Sequence, residues 1–202
     1  LGIPGLTACH AVFGGGGVAG ETVLIQGGAG TVGLLAVQLA KWGGARVIAT
    51  CGDKDRGRVI AAGADVALAY DDPELPAQIL AANDGKLIDT IVEVEFGANI
   101  ETDTAVIAPN GRIAAYGSAR QMHPTLPFYP LLFKAVTIDI ILIYLLPGAQ
   151  RDAAITRLHH ALQDGALDCP VEKVFALADT ASAHEAVEAG ARNGAILIDC
   201  QR

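Results

Sequence analysis

Residues 22–44 read TVLIQGGAGTVGLLAVQLAKWGG. An apolar run of strand character meets Gly28, Gly30 and Gly33, spaced G-x-G-x-x-G, and an apolar segment of helical character follows at once. The spacing alone is weak evidence. A glycine loop that directly follows a strand and directly opens a helix is the arrangement that gives it weight. Gly28 allows the tight turn, Gly30 lets the backbone approach a pyrophosphate where any Cβ would collide, and Gly33 lets helix and strand pack closely. The helix starting near Thr31 then points free N–H groups and its positive dipole end at the phosphates. The competing reading is an idle strand-to-helix turn in a glycine-rich chain.

The flanking sequence has the same alternating character. Strand-like runs lie at 22–26, 46–50, 66–69, 87–92, 112–116 and 136–143, and helix-like segments at 31–42, 54–62, 73–82 and 99–108. Gly63 and Gly111 sit where helix C-caps belong. Apolar strands alternating with helices imply a parallel sheet covered on both faces. Right-handed crossovers then give a doubly wound six-stranded α/β sheet. The segment LLFKAVTIDIILIYLLPG, residues 131–148, carries Lys134 and Asp139; two charges argue against a bilayer span and for a buried strand. A helix over about 149–164 ends at Gly165, and the tail adds strand 171–177, helix 180–192 and strand 195–200. Thr180 or Ser182 suits the N-cap of that helix. Residues 3–20 read as a helix and a loop closed by the glycine run 14–17.

Composition narrows the class. The chain has 202 residues, 51% hydrophobic, enough for a large core. A net charge of −8 with only 14 Lys and Arg argues against nucleic acid as a partner. Cys9, Cys51, Cys169 and Cys200 are scattered, with no C-x-x-C, which points to a reducing, cytoplasmic setting without a zinc finger or a disulfide scaffold. No basic stretch precedes an apolar run at the N-terminus, so no signal peptide is expected. The chain opens on Leu1 in mid-motif and is expected to be part of a longer protein.

The second strand and its sequel, ATCGDKDRGR (49–58), bear on the choice of dinucleotide. An NAD site usually places an acid at the end of this strand for the ribose 2′-hydroxyl. Thr50, Cys51 and Gly52 stand there instead, with Asp53 close behind. A 2′-phosphate would want Lys54, Arg56 and Arg58. The balance favours NADPH, with Asp53 leaving NADH open. Cys51 also argues against a methyltransferase, which would use an acid there and a different glycine loop.

Together these features resemble the medium-chain dehydrogenase/reductases, in the zinc-free quinone oxidoreductase branch that includes zeta-crystallin. The matching stretches are LGIPGLTACHAV, GETVLIQGGAGTVGLLAVQLAKWGGARVIAT, AAGADVALAY, IDTIVEV, PNGRIAAYGS and NGAILIDC. The resemblance implies a lead-in helix and loop over 1–20, a Rossmann domain over 21–165, and a segment 166–202 that returns to an N-terminal GroES-like catalytic domain outside this chain. It implies that Gly28, Gly30 and Gly33 form the pyrophosphate loop with backbone from Thr31 and Val32. Thr50 and Cys51 would face the adenosine ribose and Tyr70 the adenosine end. Gly117 and Ser118 would lie near the nicotinamide ribose, and the backbone at Ile143 and Tyr144 would face the carboxamide. Arg192 and Asn193 would bring a C-terminal base or amide to the cofactor. Family members pair across a two-fold axis through the sixth strand, so a homodimer through 136–143 is expected; a long apolar edge would otherwise invite aggregation.

The implied activity is hydride transfer from NADPH to a small-molecule substrate, a quinone or an activated alkene or carbonyl. The alternatives are an enoyl or 2-alkenal reductase or a zinc-type alcohol dehydrogenase of the same superfamily, and, in another class, a non-catalytic crystallin-like nucleotide-binding protein. No catalytic residue is assigned, and no zinc. Cys9 and His10 are neighbours on a helix and point about 100° apart. His159 and His160 suit a solvated last helical turn, and His184 reads as structural. The chain departs from the family at Cys9, where an aromatic is usual, at Ala195 for a usual Lys, and at Glu93 and Glu95 after the fourth strand.

Overall fold

The computed structural model describes residues 1–190 and 193–201. The chain divides into two compact units, Leu1–Leu167 and Asp168–Arg202. The first unit opens with helix α1 (Gly2–Phe13), followed by β1 (Thr22–Ile25), α2 (Thr31–Trp42), β2 (Arg46–Cys51), α3 (Arg56–Ala61), β3 (Val66–Ala69) and α4 (Leu75–Ala82). It continues with β4 (Ile88–Glu93), α5 (Phe96–Val106), β5 (Ile107–Ala115), α6 (Phe128–Phe133), β6 (Thr137–Ile140) and α7 (Gly148–Gln163). The six strands form one parallel sheet in the order β3-β2-β1-β4-β5-β6. This is the doubly wound Rossmann-like fold that the sequence predicts.

Strand periodicity divides the core between the two faces of the sheet. Side chains alternate faces along a strand. Val23, Ile25, Val47 and Ala49 therefore pack with α1, α2 and α7, while Leu24 and Ile48 pack with α4 and α5. Leu24, Ile48 and Ile91 are fully buried; burial of each stabilises the fold by about 1.5–3 kcal/mol. Helix α2 has its predicted bounds. Its second half packs on α1, where the Phe13 and Trp42 rings meet edge to face with centroids 6.1 Å apart.

Three sequence expectations are corrected. The segment 136–143 is not a buried eight-residue strand. β6 covers only Thr137–Ile140 at the sheet edge, and Ile140 is 79% exposed. Much of the apolar run before it belongs to the surface helix α6, and the residues after it form a 3-10 turn at Ile143–Leu145. An edge strand hydrogen-bonds on one side only, so apolar sequence there does not guarantee burial. Gly111 does not cap a helix: α5 runs directly into β5, which bulges opposite β4, and Asn110 takes the left-handed conformation with φ 61°. Gly63, with φ 111°, does follow the end of α3.

The second unit consists of β7 (Val171–Ala176), α8 (Thr180–Glu188) and β8 (Ala195–Asp199), with the two strands parallel. The predicted strand–helix–strand order is present. Neither predicted N-cap forms, which is the third correction. Asp179 occupies the cap position without a side-chain bond, and the Thr180 hydroxyl donates back to the Leu177 carbonyl at 2.6 Å. Among the described residues, no helix is long and apolar enough to cross a membrane.

Candidate nucleotide site

In a doubly wound sheet, ligands bind beyond the carboxyl ends of the strands where the strand order reverses. Here that point lies between β1 and β4. The glycine loop occupies it. Gly27 takes φ 72° and its carbonyl accepts the Gly30 amide at 3.0 Å, closing a tight turn. The left-handed residue is thus Gly27, one position before the motif that the sequence singles out. Gly28 is buried and donates its amide to the Thr50 carbonyl at 2.7 Å; a Cβ on it would stand 2.9 Å from that of Ala49. Gly33 is also fixed from within, because a Cβ there would run into the Gly27 carbonyl oxygen.

Gly30 differs from both. It is exposed, it is the N-cap of α2, and a Cβ on it would meet only the Gly27 carbonyl oxygen, at 3.4 Å. Packing within the chain does not explain this glycine. The N–H groups of Thr31, Val32 and Gly33 begin α2 and have no intrahelical acceptors. They supply donors and a positive dipole end beside Gly30.

The residues expected beyond the loop collect at the same end of the sheet. Thr50 and Cys51 end β2 but are each only 1% exposed. The Thr50 hydroxyl accepts the Gly27 amide at 3.1 Å and donates to Gln26 Oε1 at 2.7 Å, so its side chain supports the loop from behind. Burial pushes the Cys51 thiol pKa up, with Asp55 adding to the effect. Tyr70 follows β3, is 54% exposed, and lies over Gly52, with its ring 3.8 Å from where a Cβ there would be. Arg56 pairs with Asp53 at 2.8 Å, so the base that would favour NADP and the acid that would favour NAD engage each other. Lys54 is exposed, and Arg58 reaches the Ala29 carbonyl in the glycine loop.

On the other side of the switch point, the loops after β4 and β5 are tied together. The Gly117 carbonyl accepts the Phe96 amide at 3.0 Å. The Ser118 hydroxyl accepts the Gly97 amide at 2.9 Å and donates to the Gln121 carbonyl at 2.6 Å. Ile143 is buried and Tyr144 is 67% exposed in the turn after β6. Arg192 lies outside the described residues. The Asn193 amide donates to Glu172 within the C-terminal unit.

A separate cleft of about 540 Å³ opens at the amino ends of β1, β4, β5 and β6, beside glycines 14–17. Its principal cation, Arg112, is committed to the Ala11 carbonyl at 2.6 Å and to Asp139 at 2.5 Å. It lies at the amino ends of the strands, opposite the switch point.

Among the described residues, no three histidine, cysteine or acidic side chains stand together so as to hold a metal ion. Burial pushes the Cys9 thiol up to about 11, and the thiol donates to the Ala154 carbonyl at 3.5 Å, which is poor chemistry for a zinc thiolate. His10 faces Asp139 at 3.9 Å. His159 and His160 are exposed in the last turns of α7, as expected, and His184 is exposed on α8 rather than packed.

Sequence reasoning missed Gly27, Gln26 and Asp103. The signals were a glycine doublet, a polar residue ending an apolar strand, and an acid on the buried period of α5, Phe96–Ile100–Asp103–Thr104.

The family model described as zinc-binding dehydrogenase matches residues 31–159. The "Probable quinone oxidoreductase" of Schizosaccharomyces pombe is 25% identical over 184 residues, which are 90% of this chain and 55% of that protein. The chain thus spans about half the length of that relative. A mycobacterial protein solved in complex with NADPH superposes with a TM-score of 0.81 at 26% identity, covering 96% of this chain and 63% of that one. A 2-haloacrylate reductase shares the fold with a TM-score of 0.89 at 24% identity, covering 99% and 64%. The chain belongs to the zinc-binding dehydrogenase family of the medium-chain dehydrogenase/reductase superfamily, with the nucleotide-binding fold of its quinone oxidoreductase-like members.

Proposed function

We propose that this chain binds NADPH at the glycine loop and serves a quinone oxidoreductase-type enzyme that reduces a quinone or an activated alkene or carbonyl. Gly30 carries the reading: an exposed glycine at the N-cap of α2, at the switch point, with no internal contact that demands it. A bound nicotinamide dinucleotide supplies the hydride, and the protein supplies binding and orientation. The amides of Thr31, Val32 and Gly33 hold the pyrophosphate, with Gly28 and Gly33 keeping the loop close to β2 and α2. The ribose end lies at Cys51, Gly52 and Tyr70. Thr50 holds the loop in place.

The cationic side chains support NADPH over NADH. Asp53 is held by Arg56, which weakens it as an acceptor for a ribose 2′-hydroxyl. Lys54 is exposed and Arg58 already reaches the rim of the loop; these two would meet a 2′-phosphate. Gly117, Ser118, Ile143 and Tyr144 would line the nicotinamide end. The second unit would pack against a catalytic domain outside this chain. β6 presents an unpaired edge with Ile140 exposed, and a second copy of the chain would pair there.

Calorimetric titration with NADPH and NADH tests the reading. NADPH is expected to bind more tightly, and Gly30→Val is expected to weaken it by roughly a hundredfold while leaving the fold intact. Binding unaffected by Gly30→Val would overturn it, and tighter NADH binding would return the ribose contact to Asp53.

A further inference from the structure

A row of buried polar side chains continues behind the loop. Gln26 ends its contacts with Thr50 by passing its amide group to the far side, where Nε2 donates to Asp103 Oδ1 at 2.9 Å. Asp103 on α5 is fully buried, and beside it stands Glu93, the last residue of β4, also fully buried. The Glu93 carboxyl accepts the Glu95 amide and, at 3.1 Å to each oxygen, the side-chain amide of Asn99.

The direction of every bond in this row is fixed. The Gly27 N–H can only donate, so the Thr50 hydroxyl proton goes to Gln26. Gln26 must then turn its NH₂ to Asp103, whose Oδ1 must accept. Asp103 Oδ2 remains, buried and with no donor from any other described group. The charge that acts on it most strongly is that of Glu93, the neighbouring buried carboxyl. Two ionised carboxylates in a dry site repel strongly, and one shared proton relieves the repulsion. Burial and the charge of Glu93 push Asp103 well above the usual carboxylate range, and burial raises Glu93 as well.

We propose that the Glu93–Asp103 pair, holding one shared proton, positions the glycine loop for its nucleotide by acting through Gln26 and Thr50 on the Gly27 amide. Both acids are positioning residues, and the inference rests on the loop being the nucleotide site. With the proton in place, the row is satisfied from Glu93 to Gly27. Without it, Asp103 and Glu93 separate, Gln26 loses its fixed orientation, and the turn at Gly27 loosens. The titratable and charged groups around the pair leave this role to the acids. Just after β5, the Tyr116 phenol is pushed up by burial and by the charge of Glu93, and so stays neutral. Glu95 presents its backbone amide to Glu93, while its own carboxylate accepts the Arg120 amide at 2.9 Å. Lys134, ahead of β6, is bound to the carbonyls of Thr104, Ala105 and Ile107 at the end of α5.

The test follows two readouts of the 202-residue chain across pH: the NMR shift of the Gly27 amide without ligand, and NADPH affinity by calorimetry. In the unmodified chain, both should change together as pH rises above the ordinary carboxylate range. Asp103→Leu breaks the row and should displace the Gly27 signal and weaken NADPH roughly tenfold, the scale of one buried polar group left unpaired. Asp103→Asn reproduces the protonated acid, accepting from Gln26 and donating to Glu93. It should restore the Gly27 signal and the affinity, and remove the change with rising pH from both. An Asp103→Asn chain that keeps this pH dependence would overturn the proposal. So would a Gly27 signal indifferent to both substitutions. If the unmodified chain binds neither NADPH nor NADH, yet the Gly27 signal titrates and Asp103→Asn flattens it, the positioning role stands and the nucleotide reading fails.

Discussion

Two glycine-rich turns of the same unit invite comparison, the loop at 27–33 and the run at 14–17. In the first, Gly28 and Gly33 are required by close approach of backbone and core, and Gly30 alone faces open space. In the second, Gly16 and Gly17 have no atom within 4 Å of a would-be Cβ, and Gly14 and Gly15 approach the side chain of Arg112. Glycine density therefore does not mark a phosphate loop. The strand before it, the helix after it, and the position of both at the switch point do.

The largest expected effect tests whether the first loop is fixed by its interior. Gly33→Val drives its side chain into the Gly27 carbonyl and within 2.9 Å of Gly28 Cα. It should destabilise the fold by about 3 kcal/mol, read as a clear drop in thermal midpoint; an unchanged midpoint would break the comparison. Gly30→Val should leave that midpoint nearly unchanged while weakening NADPH by roughly a hundredfold, the scale of losing the hydrogen bonds of the α2 amides to a charged group. At the second turn, the holding element is Arg112, bound to Ala11 and Asp139. Arg112→Ala should cost about 1–3 kcal/mol in denaturant unfolding, through the charge and carbonyl left unpaired. The pH dependence of stability separates the two turns further. Asp103 holds its proton in the folded chain to higher pH than in the unfolded chain. The folded state thus binds more protons, and stability falls as pH rises from the ordinary carboxylate range toward the raised value. Asp103→Asn should flatten that slope in unfolding curves, and Arg112→Ala should leave it in place. The smallest effect belongs to Gly17→Ala, within about 0.5 kcal/mol of the unmodified chain. A large loss there would mean that the run is as constrained as the loop.

Much of the fold was legible because its signals are local. Helix α2 begins and ends where the glycines at 30 and 43 say, and the strands β1 to β4 read as short β-branched apolar runs between breakers. The resemblance placed the sixth strand at the sheet edge, but its short length and exposure were not legible. The run around 136–143 is as apolar as a central strand, but apolar sequence does not state how many neighbours a strand has, and Ile140 ends up exposed. At the site, the glycine motif was visible and the role of its members only partly so. The left-handed turn fell to Gly27 and the buried side of Thr50 went to the loop, because both depend on which atoms of β2 and β4 come within reach.

The sequence by itself determined the alternation of strand and helix, the glycine loop at the first crossover, and with them a doubly wound sheet; these follow from hydrophobic period and backbone conformation over a few residues. Only the tertiary structure decided that Glu93, Asp103, Thr50 and Gln26, drawn from β4, α5, β2 and the loop after β1 and separated by up to 77 residues, form one buried row behind that loop. Their contact is made by the packing of α5 against the sheet, and the chemistry of two carboxyls depends on the water that this packing removes.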